Sequence, residues 1–577
     1  MSNPRTKSPN TNRGQGLRSE RSALLNDSLS SLNGNSSYDS IKDSSKNNKD
    51  VAEVNEYPRR PESSVSVVSN SPHRQDAATT NTVSTVSVSK VLPALLLGVV
   101  LAALDNTIVA STYTKIGAEF GKFSQVSWTA TAYMISCTAF QPLFGKFCDI
   151  YGRKKTLLAA YCVFGIGCFL CGTSRSLWQL VAARAIAGIG GGGMNSTVSI
   201  LMSDIVPLKQ RGTYQGIINV FFAIGSSLGG PVGGYFADQY TWRIGFLIQV
   251  PLIAIAFLCV YFTLNLPHHN HVSFMTRFRK IDLKGLILLI IGVTTMTCAF
   301  TLGGNVREWN DPVVISLLIA SSISYLSFVY VEAFVAFEPL APMDVLTERT
   351  CLSSYLCNFF HSVANFGWIY GMPLFFQSIK NEGAEKSGIR LIPMIIGSSL
   401  GSLLGGAVIS LTGNYKKITV GSYFFGSVAA LFMLRYGYSN FNWEYAVYPF
   451  SGGLGNGIAV TTTLVAIIHA SPSAFQASAI ATSYLFRSNG CVLGVSISSS
   501  IVQTVLGIKL RKSLDFDVDE LLHHLRKDIS YVHRLPEEIR QTVLDALLGS
   551  IHYSFLFVSF MFFCAFVCSM FIKNRNL

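Results

Sequence analysis

Apolar segments of roughly the length of a membrane span recur along most of the chain, each separated from the next by a short polar stretch. They begin near Val91, Ser127, Thr156, Leu177, Thr213 and Arg243, and this first series ends by about Leu264. Two more begin near Asp282 and Val313, and a last series near Ser353, Gly388, Ile418, Tyr445, Ala479 and Ile551. A helix of about twenty apolar residues crosses a hydrocarbon core of ~30 Å. The pattern therefore predicts an all-α membrane protein with about fourteen transmembrane helices. Residues 1–88 break the pattern, because Ser, Asn and charge dominate and no apolar run occurs. Such a stretch cannot bury enough surface to offset its ordering entropy, so a disordered cytosolic tail is expected. It has no apolar core of the kind a cleavable signal peptide needs, which leaves the first span as its own insertion signal.

An internal repeat organises the spans. Gly145-Lys-Phe-Cys-Asp-Ile-Tyr-Gly152-Arg-Lys-Lys155, after the second span, is echoed by Gly406-Ala-Val-Ile-Ser-Leu-Thr-Gly413-Asn-Tyr-Lys416-Lys417 after the tenth. The spacing predicts a six-helix half over 89–265, inserted helices 7 and 8 with flanking loops over 266–350, and a second six-helix half over 351–577. Repeated halves are how many transport proteins build alternating access. Gly397, Gly401 and Gly405 are expected to repeat, in the second half, a glycine stripe of the fifth span.

Composition agrees with lipid as the main solvent: 49% of residues are hydrophobic and 13% charged, with mean hydropathy +0.38. The net charge of +13 would suggest nucleic acid in a soluble protein. Here the Lys and Arg gather in short connections, namely Arg153 to Lys155, Lys209 with Arg211, Arg277 to Lys280, and Lys416 with Lys417. That is a topology signal which puts these loops and both termini in the cytosol and leaves no reason to expect nucleic acid. The long connection 507–549 then falls on the lumenal side although it too is basic. Its spacing at Val518, Leu521, Leu522 and Leu525, and a helix start at Pro536-Glu537-Glu538, predict helical pieces that pack on the membrane face or cap the exit. His523, His524 and His533 there read as surface histidines, with sensing of an acidic lumen as the alternative. The 12 cysteines are scattered without ligand spacing and read as packing residues.

Candidate chemistry sits where polar groups interrupt the spans. In the first span Asp105, next to Asn106, is a carboxylate at membrane depth and the natural proton carrier; it is expected to be wet and to face a central pathway. Arg184, inside the fourth span ahead of Gly188 to Gly193, is the expected partner that would lower the carboxyl pKa. The loop Gly145-x-x-x-Asp149-x-x-Gly152-Arg153-Lys154 combines tight turning with opposite charges, as a latch between moving halves would. In the fifth span, Gly225, Gly229 and Gly233, and likewise Gly230 and Gly234, recur at intervals of four around Pro231. These make smooth faces for close helix contact and a hinge. Asn106, Tyr133, Asn195, Asn219, Asn358, His361, Asn365 and Arg487 are weaker candidates for lining a cavity, and each could equally be a packed, hydrogen-bonded residue.

These motifs together resemble the major facilitator superfamily. The Gly145–Lys155 loop is similar to its signature between spans two and three, Arg184–Gly188 to its fourth-span motif, and Gly225–Gly234 to its antiporter motif. Leu104–Val109 looks like the first-span motif of the fourteen-spanner drug:proton antiporter branch. Within that branch, Asp105 to Ser111, Ala139-Phe-Gln-Pro-Leu143 and Ala187 to Gly193 are similar to the fungal vacuolar basic amino acid transporters. The resemblance implies proton-coupled movement of amino acids, basic ones among them, into the vacuole; a monomer with no cofactor or metal is expected. Two departures stand out. Ser111-Thr-Tyr113 replaces the more apolar run of drug exporters, and Asn414 replaces the arginine of the second-half loop. In the tail, Glu20-Arg-Ser-Ala-Leu24-Leu25 has the pattern of an acidic dileucine signal that a sorting adaptor reads. Asn26-Asp27-Ser28 and Asn35-Ser36-Ser37 match glycosylation acceptors that should stay bare on the cytosolic side. A plasma-membrane exporter of drugs or siderophores and a non-transporting nutrient sensor are the competing readings. An enzyme is disfavoured, since the run Gly188–Gly193 lies inside an apolar helix and not between a strand and a helix.

Overall fold

Among the described residues, a helix stands at each predicted span. The computed structural model describes residues 88–121, 125–264, 282–303, 307, 309–336, 339–340, 342–382, 384–437, 442–514, 520–522, 525 and 529–574. The tail, the dileucine residues Glu20, Leu24 and Leu25, and His523 and His524 lie outside the described residues. The first half comprises α1 (Val88–Phe120), α2 (Ser127–Tyr151), α3 (Arg153–Thr173), α4 (Leu177–Ile205), α5 (Leu208–Gln239) and α6 (Trp242–Thr263). Two inserted helices follow, α7 (Leu283–Leu302) and α8 (Pro312–Phe334). The second half is α9 (Arg349–Ser378), α10 (Ile392–Thr412), α11 (Tyr415–Phe432), α12 (Glu444–Ala470), α13 (Gln476–Ser513) and α14 (Glu537–Met570).

Among the described residues, 11 helices are long and apolar enough to cross a membrane. The exceptions, α2, α4 and α9, are long enough but carry the polar residues of the candidate site, including Asp149, Arg184, Asn358 and His361. Packing answers the difference: from Ala187 onward α4 is almost wholly buried, and His361 and Asn358 on α9 are buried as well. Helices shielded from lipid by their neighbours need no apolar outer face.

Local chemistry sets the helix ends. Asp311 caps α8 by accepting from the Val313 N–H, with Pro312 in the first turn, and Asp282 caps α7 through the Lys284 and Gly285 N–H groups. Gly152 between α2 and α3 (φ +87°) and Gly413 between α10 and α11 (φ +66°) occupy the left-handed region, so each copy of the repeat turns on glycine. Asn414, standing where the repeat loses its arginine, caps α11 by accepting from the Lys417 N–H.

The repeat extends to packing. Gly225 and Gly229 on α5 lie against the Val100 and Leu104 carbonyls of α1, and Gly490 and Gly494 on α13 lie in the same way against the Phe359 and Val363 carbonyls of α9. The counterpart of the fifth-span stripe is therefore Gly490 and Gly494. Gly397, Gly401 and Gly405 pack instead on Phe450, Leu454 and Ile458 of α12, the contact that corresponds to α2 on α4. Only one face of α5 makes the expected close approach: Gly225, Gly229 and Gly233 meet α1, whereas Gly230 has open space and Gly234 only grazes Ser111. α5 stays helical through Pro231.

The connection expected over 507–549 is shorter, because α13 runs on to Ser513 and α14 starts at Glu537, just after Pro536. Leu521, Leu522 and Leu525 from it are buried with Val532 in the core of the second half. The inserted α7 packs on both α2 and α13, with Leu286, Leu289 and Val293 joining Ala139, Leu143 and Leu485 in one apolar cluster.

Candidate functional site

Close helix packing brings the charged residues of the first half together. Gly188, one turn beyond Arg184 on α4, lies against the Tyr133 carbonyl and Ser136 of α2, where any side chain would collide. That approach lays the Tyr133 ring over the Arg184 guanidinium, 4.2 Å from its centre, with Phe246 at 5.7 Å. Arg184 Nη1 meets Asp105 Oδ2 at 2.5 Å, Nη2 donates to the Asp105 carbonyl at 3.3 Å, and Nε donates to the Thr129 carbonyl at 3.3 Å. Gln249 on α6 completes the cluster, its Nε2 donating to Asp105 Oδ1 at 3.3 Å, while its Oε1 is buried with no partner among the described residues.

This corrects one expectation. Asp105 and Arg184 do pair, but Asp105 is not wet: both residues are 0% exposed, and neither lines the central cavity. The ring of Tyr133 stands between the pair and that cavity, since it covers Arg184 on one side and lines the cavity on the other.

The cavity lies between the halves and encloses about 920 Å³ including its mouth. Of the weaker candidates, Asn106, Tyr133, Asn195, Asn219 and Arg487 line it. Asn358 lines a small adjoining space that also borders Arg487, and is held by Ser483 (2.9 Å) and Thr463 (2.9 Å). His361 does not reach either space; its Nε2 meets Asn456 Oδ1 at 2.5 Å inside the second half, edge-on to Tyr423 and Phe562. Asn365 is half-buried and lines neither. Sequence reasoning missed Gln141, Tyr484, Ser488 and the buried Gln249, neutral polar residues of a kind too common in spans to be singled out.

At the end that carries Gly145–Lys155, hereafter the basic end, the halves close on each other. Gly145 faces Ala477 and Ala481 of α13, Gly212 of α5 faces Gly406 of α10, and Gly216 faces Ser402. Cys148, Ile200, Leu464, Ile468, Ala477 and Ile480 form an apolar plug across the seam. Polar bonds join the same faces: Ser478 Oγ donates to Asp149 Oδ2 (3.4 Å), Ser199 pairs with Tyr484 (2.6 Å), Ser488 with Gln141 (3.1 Å), and Asn219 with Ser402 (3.2 Å). Arg153 reaches Asp204 of α4 at 2.6 Å and Asp149 at 3.8 Å, both within the first half, so of the charged residues expected to latch the halves only Asp149 has a bond across the seam, to Ser478. Lys154 stays within the first half, on the Tyr261 carbonyl at 2.7 Å.

Two pseudo-equivalent helix bundles around a mid-depth cavity, sealed at one end by contacts between the bundles, define a secondary transporter. The chain belongs to the Major Facilitator Superfamily, whose family model matches residues 95–495. It is a multi-pass membrane protein, and members of that family are transporters and not enzymes. The chain is 39% identical over 489 residues to "Multidrug resistance protein fnx1" of Schizosaccharomyces pombe, a match covering 84% of this chain and 92% of the relative. It is 32% identical over 437 residues to "Vacuolar basic amino acid transporter 2" of Saccharomyces cerevisiae, covering 73% of this chain and 92% of the relative. The fold is similar to that of the human organic anion transporter MFSD10, with TM-score 0.52 and 14% identity over 82% of this chain and 99% of the other.

Proposed function

We propose that the protein is a proton-coupled antiporter that moves amino acids, basic ones such as lysine among them, from the cytosol into the vacuole. The observation that carries this reading is a cavity, with Asn106, Asn195, Asn219 and Arg487 in an otherwise largely apolar wall, between two halves that are shut at the basic end. By the positive-inside rule that end is cytosolic, so the state described is the one that has closed behind a cytosolic substrate. The similarity to vacuolar basic amino acid transporters supports amino acids as the substrate class and the vacuole as the membrane.

Asp105 is the proposed proton carrier and Arg184 the group that sets its affinity. In the closed state the guanidinium is paired with the carboxylate and both are shut away from water. Rotation of the Tyr133 ring would open the pair to the cavity, and a proton arriving there would neutralise Asp105. Gln249, with a free buried oxygen, can then accept the new O–H once its amide turns over. One pH unit is a tenfold proton ratio, about 1.4 kcal/mol, so one proton leaving per substrate sustains about tenfold accumulation per unit. In acidified vacuolar vesicles the expected result is lysine uptake that collapses with a protonophore and is abolished by Asp105→Asn. Unchanged uptake by that variant would remove Asp105 from the coupling.

A plasma-membrane drug exporter is the second reading, favoured by the relative named for multidrug resistance and by apolar cavity residues such as Ile218, Phe222 and Phe366. Imaging of the tagged full chain separates the two. Vacuolar signal that is lost when Leu24 and Leu25 are changed to Ala supports the first; signal confined to the plasma membrane supports the second.

A further inference from the structure

Among the described residues two arginines, Arg184 and Arg487, lie well inside the membrane-length helices, and their surroundings differ. Arg184 is neutralised by Asp105. Arg487 on α13 lines the central cavity and the small space beside it, and forms no hydrogen bond or ion pair with the protein among the described residues. No Asp, Glu or Lys lines either space. A guanidinium with five donors and no acceptor in a low-dielectric wall is costly unless an anion meets it, and its planar fork matches a carboxylate. Around it the walls offer neutral partners, with Asn106, Asn195, Asn219 and Ser488 able to bond an amino group, and Phe222 and Phe366 to cover an apolar stem.

The second half contains no replica of the buried pair to quench this charge. Matching Gly225 and Gly229 with Gly490 and Gly494 puts the apolar Ala364, which follows Val363, where Asp105 follows Leu104. The same match sets Arg487, three residues before Gly490, opposite Phe222, three residues before Gly225. The halves are thus asymmetric: the first carries a self-neutralised pair, the second an uncompensated cation facing the substrate space.

We infer that Arg487 is the anchor for a substrate carboxylate, so that the cavity selects carboxylate-bearing solutes and treats a cationic side chain as incidental. For its choice of probes this rests on the amino-acid reading above. It follows that neutral amino acids compete with lysine, whereas an amine without a carboxylate does not.

The test uses the full chain in proteoliposomes with an imposed pH gradient, radiolabelled lysine, and three competitors. These are 6-aminohexanoate, which keeps the carboxylate; cadaverine, which is lysine without it; and lysine amide, in which it is neutral. Expected are competition by 6-aminohexanoate alone and a KM for lysine raised about tenfold or more in Arg487→Gln, the cost of one charge-assisted contact. Arg487→Lys should recover part of the affinity. Thermal unfolding of each variant in detergent shows whether it is folded, and binding is read on the same samples as stabilisation by 6-aminohexanoate, expected for the parent and lost in Arg487→Gln. Equal competition by cadaverine, or an unchanged KM in Arg487→Gln, overturns the anchor. If the parent takes up no amino acid, the amino-acid reading fails by itself. The anchor is then decided by the stabilisation assay: 6-aminohexanoate must stabilise the parent and not the variant, and equal or absent stabilisation in both overturns it.

Discussion

The Asp105–Arg184 pair shows how one contact can serve both stability and coupling, and how the two are separated. Removing one partner of a buried pair leaves an uncompensated charge, which costs about 3–5 kcal/mol, whereas removing both charges together costs far less. Arg184→Ala is therefore expected to lower the thermal unfolding temperature of the detergent-purified protein sharply. The double variant Asp105→Asn/Arg184→Gln should recover most of that loss and still fail to accumulate lysine against a pH gradient. A double variant that restored uptake would show the pair to be structural only. At the other end of the first span Glu119 gives a second, pH-dependent case. The bond from Arg243 holds its carboxyl below the usual range, helped by the Trp242 N–H and working against partial burial. A depressed carboxyl contributes stability above its unfolded value of about 4.3 and loses it as the pH falls through the lower folded value. Glu119→Gln should accordingly unfold at a lower temperature than the parent at pH 5 to 7, a modest shift for a half-exposed pair. The difference should shrink as the pH falls below about 4.3 and vanish only below the lower folded value; a difference that persists once the carboxyl is fully protonated would mean that packing, not charge, is lost.

Helix by helix, the sequence announced its long apolar runs and its glycine turns, and the structure places helices at each of them. What it could not announce was which face of a helix meets which neighbour. Gly230 and Gly234 have the same spacing as Gly225, Gly229 and Gly233, yet only the latter three touch α1, because the direction in which α5 packs is decided by tertiary contacts and not by period. For the same reason Gly397 to Gly405 read as the echo of the fifth span, while the true echo, Gly490 and Gly494, was hidden in a helix whose other residues had diverged. Asp105 and Arg184 were legible as a pair because charges in apolar runs are rare. Their dryness was not, since it depends on Tyr133 and Phe246 closing over them. The distinction between the α5 faces is testable. Gly229→Val drives a side chain into Thr107 and the Leu104 carbonyl, whereas Gly230→Val meets open space. The first should abolish transport and lower the unfolding temperature markedly; the second should do neither. Equal tolerance of both would contradict the packing of α5 on α1.

Across the whole molecule, the seal at the basic end is made by symmetry-related contacts: α2 on α13 along one seam, and α5 on α10 along the other. Each uses glycine to bring backbones together, and each adds a few weak polar bonds, such as Ser488 to Gln141 and Asn219 to Ser402. Such a seal is firm enough to exclude water and cheap enough to break in every cycle, which is what alternating access requires. The inserted α7 lies along the α2–α13 seam alone and contacts both halves, so rocking must slide one half over this helix while the other seam opens freely. Holding the seal shut should trap the protein with its cavity cut off from the cytosol. Cysteines at Gln141 and Ser488, whose side chains touch at 3.1 Å, can be joined with a short, reducible bifunctional thiol reagent. Because the native Cys137 and Cys491 line the same cavity, the pair is introduced with both of these changed to Ser. Treatment of Gln141→Cys/Ser488→Cys in that background, in vesicles, is expected to reduce lysine uptake to background, with recovery on reduction and no effect of the reagent on either single variant. If uptake continues while the two halves are demonstrably joined, the contact at the basic end does not open during transport, and substrate must reach the cavity by another route.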